Sequence, residues 1–320
     1  MGTYILRRLV VSIPVLLGIT VVTYLILNLA PGDPASAMID PEMEILLGPE
    51  YVEQQRERLG LNEPLPVRYA LWLRELAVGN FGYSFLDGQP VSDKLWARVW
   101  PTVKLMLAVQ VIALAIAVPV GILSALKQYT FIDYVATVFA FVSVSIPNFF
   151  MALGGIFIFA IILRWVPTSG MYTIGMEDSL LNSLHHLILP ASVLGLSQAA
   201  PLIRYIRSSM LEVIRQDYVR VAQAKGLRHW VVIYRHALRN ALIPIVTIIA
   251  LQLPILFSGT VIIEQIFSWP GMGALTITAI LSRDYPTVMA ITLISGFIVV
   301  LFNLVADILY VLIDPRIKYS

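Results

Sequence analysis

Residues 105–126 read LMLAVQVIALAIAVPVGILSAL, an apolar run without a charged side chain. Crossing the hydrocarbon core of a bilayer takes a helix of about 20 apolar residues, so the run predicts a membrane-spanning helix. The whole chain agrees, because 58% of its 320 residues are hydrophobic and 13% are charged. That charged fraction is about half of what a soluble domain carries. The composition excludes a disordered chain and an ordinary soluble enzyme.

Five further stretches have the length and apolarity of a span, namely 9–29, 134–163, 187–203, 241–263 and 288–312. The chain is therefore predicted to be an all-α membrane protein, with six transmembrane helices in a single domain over residues 1–320. Ala35-Ser36-Ala37 could mark a signal cleavage site. The apolar run before it is longer than the core of a signal peptide, so we interpret it as an uncleaved span.

The basic residues of short segments predict the orientation, because lysine and arginine concentrate on the cytoplasmic side. On the side of the two termini lie Arg7, Arg8, Lys127, Arg204, Arg207, Arg215, Arg220, Lys225, Arg228, Arg235, Arg239, Arg316 and Lys318. Only Arg164 and Arg283 fall in short loops on the other side. Both termini are predicted to be cytoplasmic. Residues 30–104 then form an external loop, with short amphipathic helices at 51–59 and 67–78.

Uncharged polar side chains and prolines interrupt the apolar runs. Polar groups in lipid are costly and tend to face a bundle interior or a wet cavity, so they are candidates to line a pathway. Hydrogen bonding between helices is the alternative explanation for each of them. The pathway candidates are Asn28, Gln110, Ser145, Asn148, Gln198, Gln252 and Asn303.

Several catalytic and cofactor motifs are missing from the sequence. There is no GxxxxGK[ST] loop for a nucleotide, no HExxH pair for zinc, and no cysteine. An intramembrane serine protease needs a histidine base, and no histidine lies at membrane depth. The sequence therefore predicts a chain that is not an enzyme and holds no metal or other cofactor of its own.

The predicted cytoplasmic segment 204–240 has the pattern of a helix, a tight turn and a second helix. Gly226 is placed to end the first helix in the left-handed conformation, and the second runs over 230–240. The small residues Ala222 and Ala224 would let a partner surface approach closely. Apolar side chains at helical spacing predict one continuous stripe on the first helix, formed by Leu211, Ile214, Tyr218 and Val221.

The same segment carries a family resemblance. YVRVAQAKG at 218–226, RHALRN at 235–240 and Pro244 resemble the EAA motif of binding-protein-dependent ABC importer permeases, specifically the B-type subunit of the dipeptide/oligopeptide (Dpp/Opp) branch. Arg220 and Val221 replace the glutamate and alanine of the general motif, as they do in the peptide branch. Further matches are YILRR at 4–8, LAPGDP at 29–34, LGLNEPL at 59–65, GNFGYS at 79–84, SIPNF at 145–149, FSWPGMG at 267–273 and DPR at 314–316.

The resemblance implies a type I ABC importer permease fold in the inner membrane of a prokaryote. It implies a second homologous permease in a heterodimer, two ABC ATPase subunits that bind ATP and Mg²⁺, and an external solute-binding protein, with no role for nucleic acid. The mechanism is alternating access driven through a coupling helix. The expected coupling residues are Asp217, Tyr218, Arg220, Ala222, Ala224, Lys225 and Gly226, and the candidates for an external gate are Pro31, Gly32 and Asp33.

The substrate is the least constrained part of this interpretation. Peptides are expected, while oligosaccharides and nickel are alternatives because the same branch imports them. Asp307 is the only acidic residue deep in a predicted span, whereas a nickel path would be expected to carry histidine or carboxylate ligands. A membrane receptor or scaffold without transport is a further alternative, but it would have no need of polar, proline-containing spans.

Overall fold

The structure of the chain is a computed structural model, which describes residues 2–30, 32, 34–37, 39, 46, 48–242, 245, 248–249, 252 and 260–313. This described part is almost wholly helical, and its only β pairing is an isolated bridge between Tyr83 and Pro90. The chain divides into two compact units, Met1–Thr102 with Pro270–Leu301 and Val103–Trp269 with Phe302–Ser320. The single domain over 1–320 stays a prediction.

The longer helices are numbered here in chain order. In the N-terminal third they are α1 (Gly2–Leu29), α2 (Pro49–Arg58), α3 (Leu65–Ala77) and α4 (Val91–Leu126). The middle holds α5 (Phe131–Ser145), α6 (Asn148–Gly155, continued by π-helical Ile156–Ile162) and α7 (Leu180–Ile214). Then follow α8 (Asp217–Ala224) and α9, which joins His229–Val231 to Arg239–Ala241 through π-helical Val232–Leu238. The last two are α10 (Met272–Leu281) and α11 (Tyr285–Ile313).

Four of the described helices are long and apolar enough to cross a membrane, over Leu6–Leu29, Val91–Leu126, Leu180–Ile214 and Tyr285–Val305. They contain all or most of the predicted spans 9–29, 105–126, 187–203 and 288–312. Most of the predicted span 241–263 lies outside the described residues, so the count of six stays a prediction. The short helices expected at 51–59 and 67–78 are confirmed as α2 and α3 within two residues, while their external location stays a prediction.

The third predicted span, 134–163, is wrong as a single straight helix. The chain bends by 100° between α5 and α6. At the bend, Ile146 has an extended backbone (φ −87°, ψ 123°). This conformation is expected for Ile146, because the proline that follows it, Pro147, disfavours the α conformation. Pro147 itself directly precedes the first residue of α6. Pro14, Pro190 and Pro201 lie instead inside unbroken helices, which membrane helices tolerate when the freed backbone groups find other partners.

Two glycines allow α4 and α7 to approach closely. A Cβ atom on Gly121 of α4 would lie 2.7 Å from Cγ2 of Ile206 in α7. A Cβ atom on Gly195 of α7 would lie 2.7 Å from Cγ2 of Ile112 in α4. In a membrane the hydrophobic effect does not drive helices together, so helix association depends on close packing, which small residues at the interface allow. Alanines surround the glycines in the same core, including Ala113, Ala117 and Ala199.

A partly buried ion pair links α7 to α5. Asp133 accepts two hydrogen bonds from the Arg207 guanidinium, from Nε and from Nη2, each of 2.7 Å. The hydroxyl of Ser124 in α4 and the backbone N–H of Tyr129 also donate to this carboxylate. The Arg207 side chain is 27% exposed and that of Asp133 5%, so solvent screens part of the attraction, but loss of Arg207 would leave a buried carboxylate uncompensated. The pair therefore fixes the relative positions of three helices.

Replacing either of the close-packed glycines by alanine is expected to destabilise the protein. Gly121→Ala and Gly195→Ala each force a neighbouring isoleucine to move, at a cost of about 1–3 kcal/mol from overpacking. The measurement is the thermal unfolding midpoint of the purified chain in detergent. Gly154→Ala is the matched control, because a Cβ atom there meets nothing within 4 Å. An unchanged midpoint for both test variants would contradict the close helix contact.

Candidate coupling site

The segment after α7 forms a short helix bounded by two backbone breaks. Helix α7 ends at Ile214, and Gln216 takes an extended conformation (φ −73°, ψ 147°) that starts α8. Gly226 follows α8 with φ of +75°, which confirms the predicted left-handed turn. A single helix through residues 204–225 is therefore wrong, because the break at Gln216 separates α8 from α7.

Helix α8 buries one face within its own chain. Val219 and Ala222 are buried and pack with Val232 of α9 and with the partly buried Val213 of α7. The predicted stripe of Leu211, Ile214, Tyr218 and Val221 is also wrong, because the break turns the last two outward. Since Ala222 packs inside the chain, a partner cannot contact it directly, whereas Ala224 is exposed.

The other face of α8 is open. Asp217, Arg220, Val221 and Ala224 are exposed, and their spacing of three and four residues places them on one side of the helix. Arg220 lies 3.8 Å from Asp217, a fully solvated pair that contributes little stability. Beyond the turn, exposed apolar side chains include Leu227, Trp230 and Tyr234. The segment thus presents polar and apolar groups together, as protein-binding surfaces do.

Several contacts fasten this segment to α7. The hydroxyl of Ser209 donates to the carbonyl oxygen of Ala241 over 2.9 Å. Ile233 of α9 belongs to the same buried core as Ile206 and Met210 of α7. Asn240 donates to the Tyr218 hydroxyl over 3.0 Å and so ties α9 to α8. A force applied to the exposed face of α8 is therefore passed to α7 through packed side chains.

The candidate pathway residues fall in both units. Asn28, in the first unit, donates to the carbonyl oxygen of Tyr24 in its own helix over 2.8 Å. In the second unit, Ser145 makes a similar local bond to Phe141, while Gln198, Asn148 and Asn303 are half-buried. No described hydrogen bond joins any two of the candidates.

Two of the candidates hold buried polar atoms without a partner. Nε2 of Gln110 and Oε1 of Gln252 make no hydrogen bond to the residues that the structure describes. An unsatisfied polar atom at membrane depth costs free energy unless water or a ligand reaches it. These two glutamines are therefore the strongest of the pathway candidates.

Of the three gate candidates, only Gly32 lies within the described residues, and Pro31 and Asp33 lie outside them. Gly32 has φ of +113°, and a Cβ atom there would lie 1.9 Å from Nη1 of Arg283. The guanidinium of Arg283 thus occupies the space beside the glycine, so any side chain at position 32 would displace it.

Four helices of membrane-spanning length among the described residues define a helical multi-span membrane protein. The sequence identifies its family. Residues 1–106 match the N-terminal part of the binding-protein-dependent transport system membrane component, and residues 117–319 match the binding-protein-dependent transport system inner membrane component. The chain belongs to this family. Its members are transport components of the inner membrane, which confirms that the chain is not an enzyme.

Curated relatives cover the whole chain. The oligopeptide transport system permease protein AppB of Bacillus subtilis is 45% identical over 320 residues, with all of both chains aligned. The dipeptide transport system permease protein DppB of Alkalihalophilus pseudofirmus is 42% identical over 337 aligned residues, again with all of both chains covered. The resemblance to the dipeptide/oligopeptide branch of ABC importer permeases is thereby confirmed.

Solved structures support the fold. An inward-facing structure of the MetNI methionine ABC transporter superposes with a TM-score of 0.54 at 16% identity, covering 68% of this chain and 95% of that one. A second crystal form of the same transporter gives a TM-score of 0.53 at 18% identity, with 68% and 94% covered. At such identities the likeness concerns the fold alone, and it is that of an ABC importer permease.

Proposed function

We propose that this chain is the permease subunit of an ATP-driven importer of peptides and that its residues 217–226 form the coupling element. The observation that carries this proposal is the arrangement of α8, which is open on one face and packed against α9 and α7 on the other. The peptide substrate is supported by the full-length relatives named for oligopeptide and dipeptide transport. Oligosaccharide and nickel import have no comparable support.

Free energy for transport has to reach this chain through contact with a partner, because the sequence holds no phosphate-binding loop. In the proposed assembly, two ABC ATPase subunits bind ATP and Mg²⁺, and one of them docks on the exposed face of α8. A second homologous permease completes the pathway as a heterodimer, and an external binding protein delivers the substrate. Asp217, Tyr218, Arg220, Ala224 and Lys225 are the proposed docking residues, while Ala222 supports them from behind.

The transmission follows the packing. When the ATPases close, α8 is displaced, and it moves α7 because Val219 and Ala222 pack with Val213 of α7 as well as with Val232 of α9. Arg207 carries the displacement from α7 to Asp133 at the start of α5, and the far end of α5 leads into the bend at Pro147. A pathway lined by Gln110 and Gln252 would open and close as these helices shift, which is alternating access.

The proposed topology has six spans and cytoplasmic termini. It is supported by the basic residues that flank α8 and α9, which the positive-inside rule places in the cytoplasm together with an ATPase. The external side then holds α2, α3 and the loop that contains Thr173. Gly32 with Arg283, and Pro31 and Asp33 beside them, would lie at the external mouth.

Gly226→Val is expected to abolish peptide uptake by the assembled importer in proteoliposomes. A β-branched residue at φ of +75° is strained by about 1–2 kcal/mol. Relief of this strain changes φ at position 226 and therefore the direction in which the chain leaves α8. Gly175→Val is the matched control, because Gly175 has φ of +85° and equally open surroundings but lies in the proposed external loop. It should transport normally. Normal uptake by the Gly226→Val importer at matched abundance would contradict the coupling role.

Single cysteines test the orientation, since the natural chain contains none. In intact cells, Thr173→Cys should react with a membrane-impermeant maleimide, whereas Gln216→Cys should react only after the membrane is permeabilised. Both positions are exposed, so a difference in labelling reports the side of the membrane. Labelling of position 216 from outside would reverse the proposed topology.

A further inference from the structure

The first unit contains a cavity of about 560 Å³, which is within the usual size range of small-molecule sites. Helix α1, helix α3, the segment 80–88 and the start of α11 supply its walls. We call it the aromatic cavity after the rings that line it, which belong to Tyr24, Trp72, Phe81, Tyr83, Phe85 and Tyr285. Phe81 and Tyr83 lie in the GNFGYS stretch at 79–84 that matches the family, whereas the other four were not singled out by the sequence patterns.

Two polar atoms in the wall of the aromatic cavity lack partners. The hydroxyl of Tyr24 and Nε1 of Trp72 are inaccessible to solvent and make no hydrogen bond to any described residue. Tyr24 as a whole is 9% exposed. A buried donor left unsatisfied costs about 1–3 kcal/mol, and the indole N–H can only donate. The wall therefore holds more hydrogen-bond donors than acceptors, but neither atom has a surface that a ligand in the cavity could contact.

Positive charge predominates among the described residues that line the cavity. Arg58 and Arg68 line it and carry two guanidinium groups, neither of which forms a described salt bridge. Glu75 is the one carboxylate in the lining, and its Oε2 already accepts a bond from Asn80 over 2.9 Å. Guanidinium groups favour carboxylate and phosphate oxygens because two parallel N–H bonds fit them. Arg68 also borders an adjoining cavity of about 370 Å³.

The wall opposite α3 is held in place by a hydrogen-bond network. The buried carboxylate of Asp284 accepts bonds from the hydroxyl of Ser84 and the backbone N–H of Phe85. Thr287 donates to the same carboxylate over 2.7 Å, and Lys94 donates to the Ser84 hydroxyl over 2.8 Å. The segment that carries Tyr83 and Phe85 is thus fixed against the start of α11. A preformed wall of this kind lowers the entropic cost of binding.

We propose that the aromatic cavity binds a short peptide with a free carboxyl terminus. Arg68, with Arg58, binds the carboxylate, and the aromatic walls cover apolar side chains. Glu75 lies where it attracts the peptide ammonium group. The choice of a peptide rests on the proposed function, but the excess of donors is independent of it.

An anionic lipid is the rival occupant, since its phosphate also suits arginine. The presence of Glu75 in the lining disfavours it, because a carboxylate repels an anionic headgroup while it attracts the ammonium of a zwitterionic peptide.

The test measures binding of the tripeptide Ala-Phe-Ala to the full-length chain in nanodiscs. The equilibrium constant is taken from a radiolabelled peptide, and a photoreactive analogue locates the site by mass spectrometry. We expect Arg68→Gln to weaken binding by about tenfold or more, as for loss of a charged hydrogen-bonded pair. Trp72→Phe, which keeps the ring and removes the N–H, should bind normally, because Nε1 is inaccessible from the cavity. Arg74→Gln is the matched control, because Arg74 lies on the same helix outside the cavity lining, and it should bind normally.

Two further binding measurements distinguish a peptide from a lipid as the molecule that occupies the cavity. The tripeptide with a C-terminal amide should bind weakly to the natural chain. Its affinity should equal that of the tripeptide with a free carboxylate for the Arg68→Gln chain. Dihexanoylphosphatidylglycerol should not displace the peptide. Equal binding of acid and amide, adducts outside the cavity, or displacement by the lipid would each overturn the proposal.

A parallel uptake assay separates this proposal from the proposed function. If the assembled importer carries the tripeptide while the chain alone shows no binding, the cavity proposal is overturned and the proposed function stands. If the chain binds the peptide at the cavity and the assembled importer does not carry it, the cavity proposal is supported and peptide import is contradicted.

Discussion

Helix α7 is the element on which the rest of the second unit depends. Glycine contacts hold it against α4, the Arg207–Asp133 pair holds it to α5, and Ser209 with Ile206 and Met210 holds the segment of α8 and α9 to its end. A helix that shares close contacts with so many neighbours cannot move alone, because packed protein interiors transmit displacement. In the proposed mechanism, this rigidity lets a displacement of α8 by a partner reach the other helices of the second unit.

The sequence predicted the main helices because a membrane span is specified by length and apolarity alone. It placed α2, α3 and the turn at Gly226 correctly, since prolines, glycines and helical spacing are local signals. It failed at Gln216 and at Pro147, where the chain breaks between two segments that are each helical by pattern. The side of α8 that is buried depends on Val232 and Val213, which lie on other helices, so the stripe through Tyr218 and Val221 was misleading.

The aromatic cavity was beyond sequence reasoning for the same reason. Tyr24 lies in an apolar run, Trp72 in an amphipathic helix and Tyr285 at the start of the last helix, and only the fold brings them together. The unsatisfied Tyr24 hydroxyl and Trp72 Nε1 become visible once the hydrogen bonds of each described buried group are counted. The glutamines Gln110 and Gln252, in contrast, could be selected from sequence because a polar residue within a span is unusual wherever it points.

The most direct test of the account is whether the exposed face of α8 contacts an ATPase subunit. Ala224→Cys, labelled with benzophenone maleimide in the purified importer and irradiated, should form a covalent adduct with an ATPase subunit. Thr173→Cys, labelled in the same way, should form none. An intact, active importer in which position 224 forms adducts with lipid or with no protein would contradict coupling through α8.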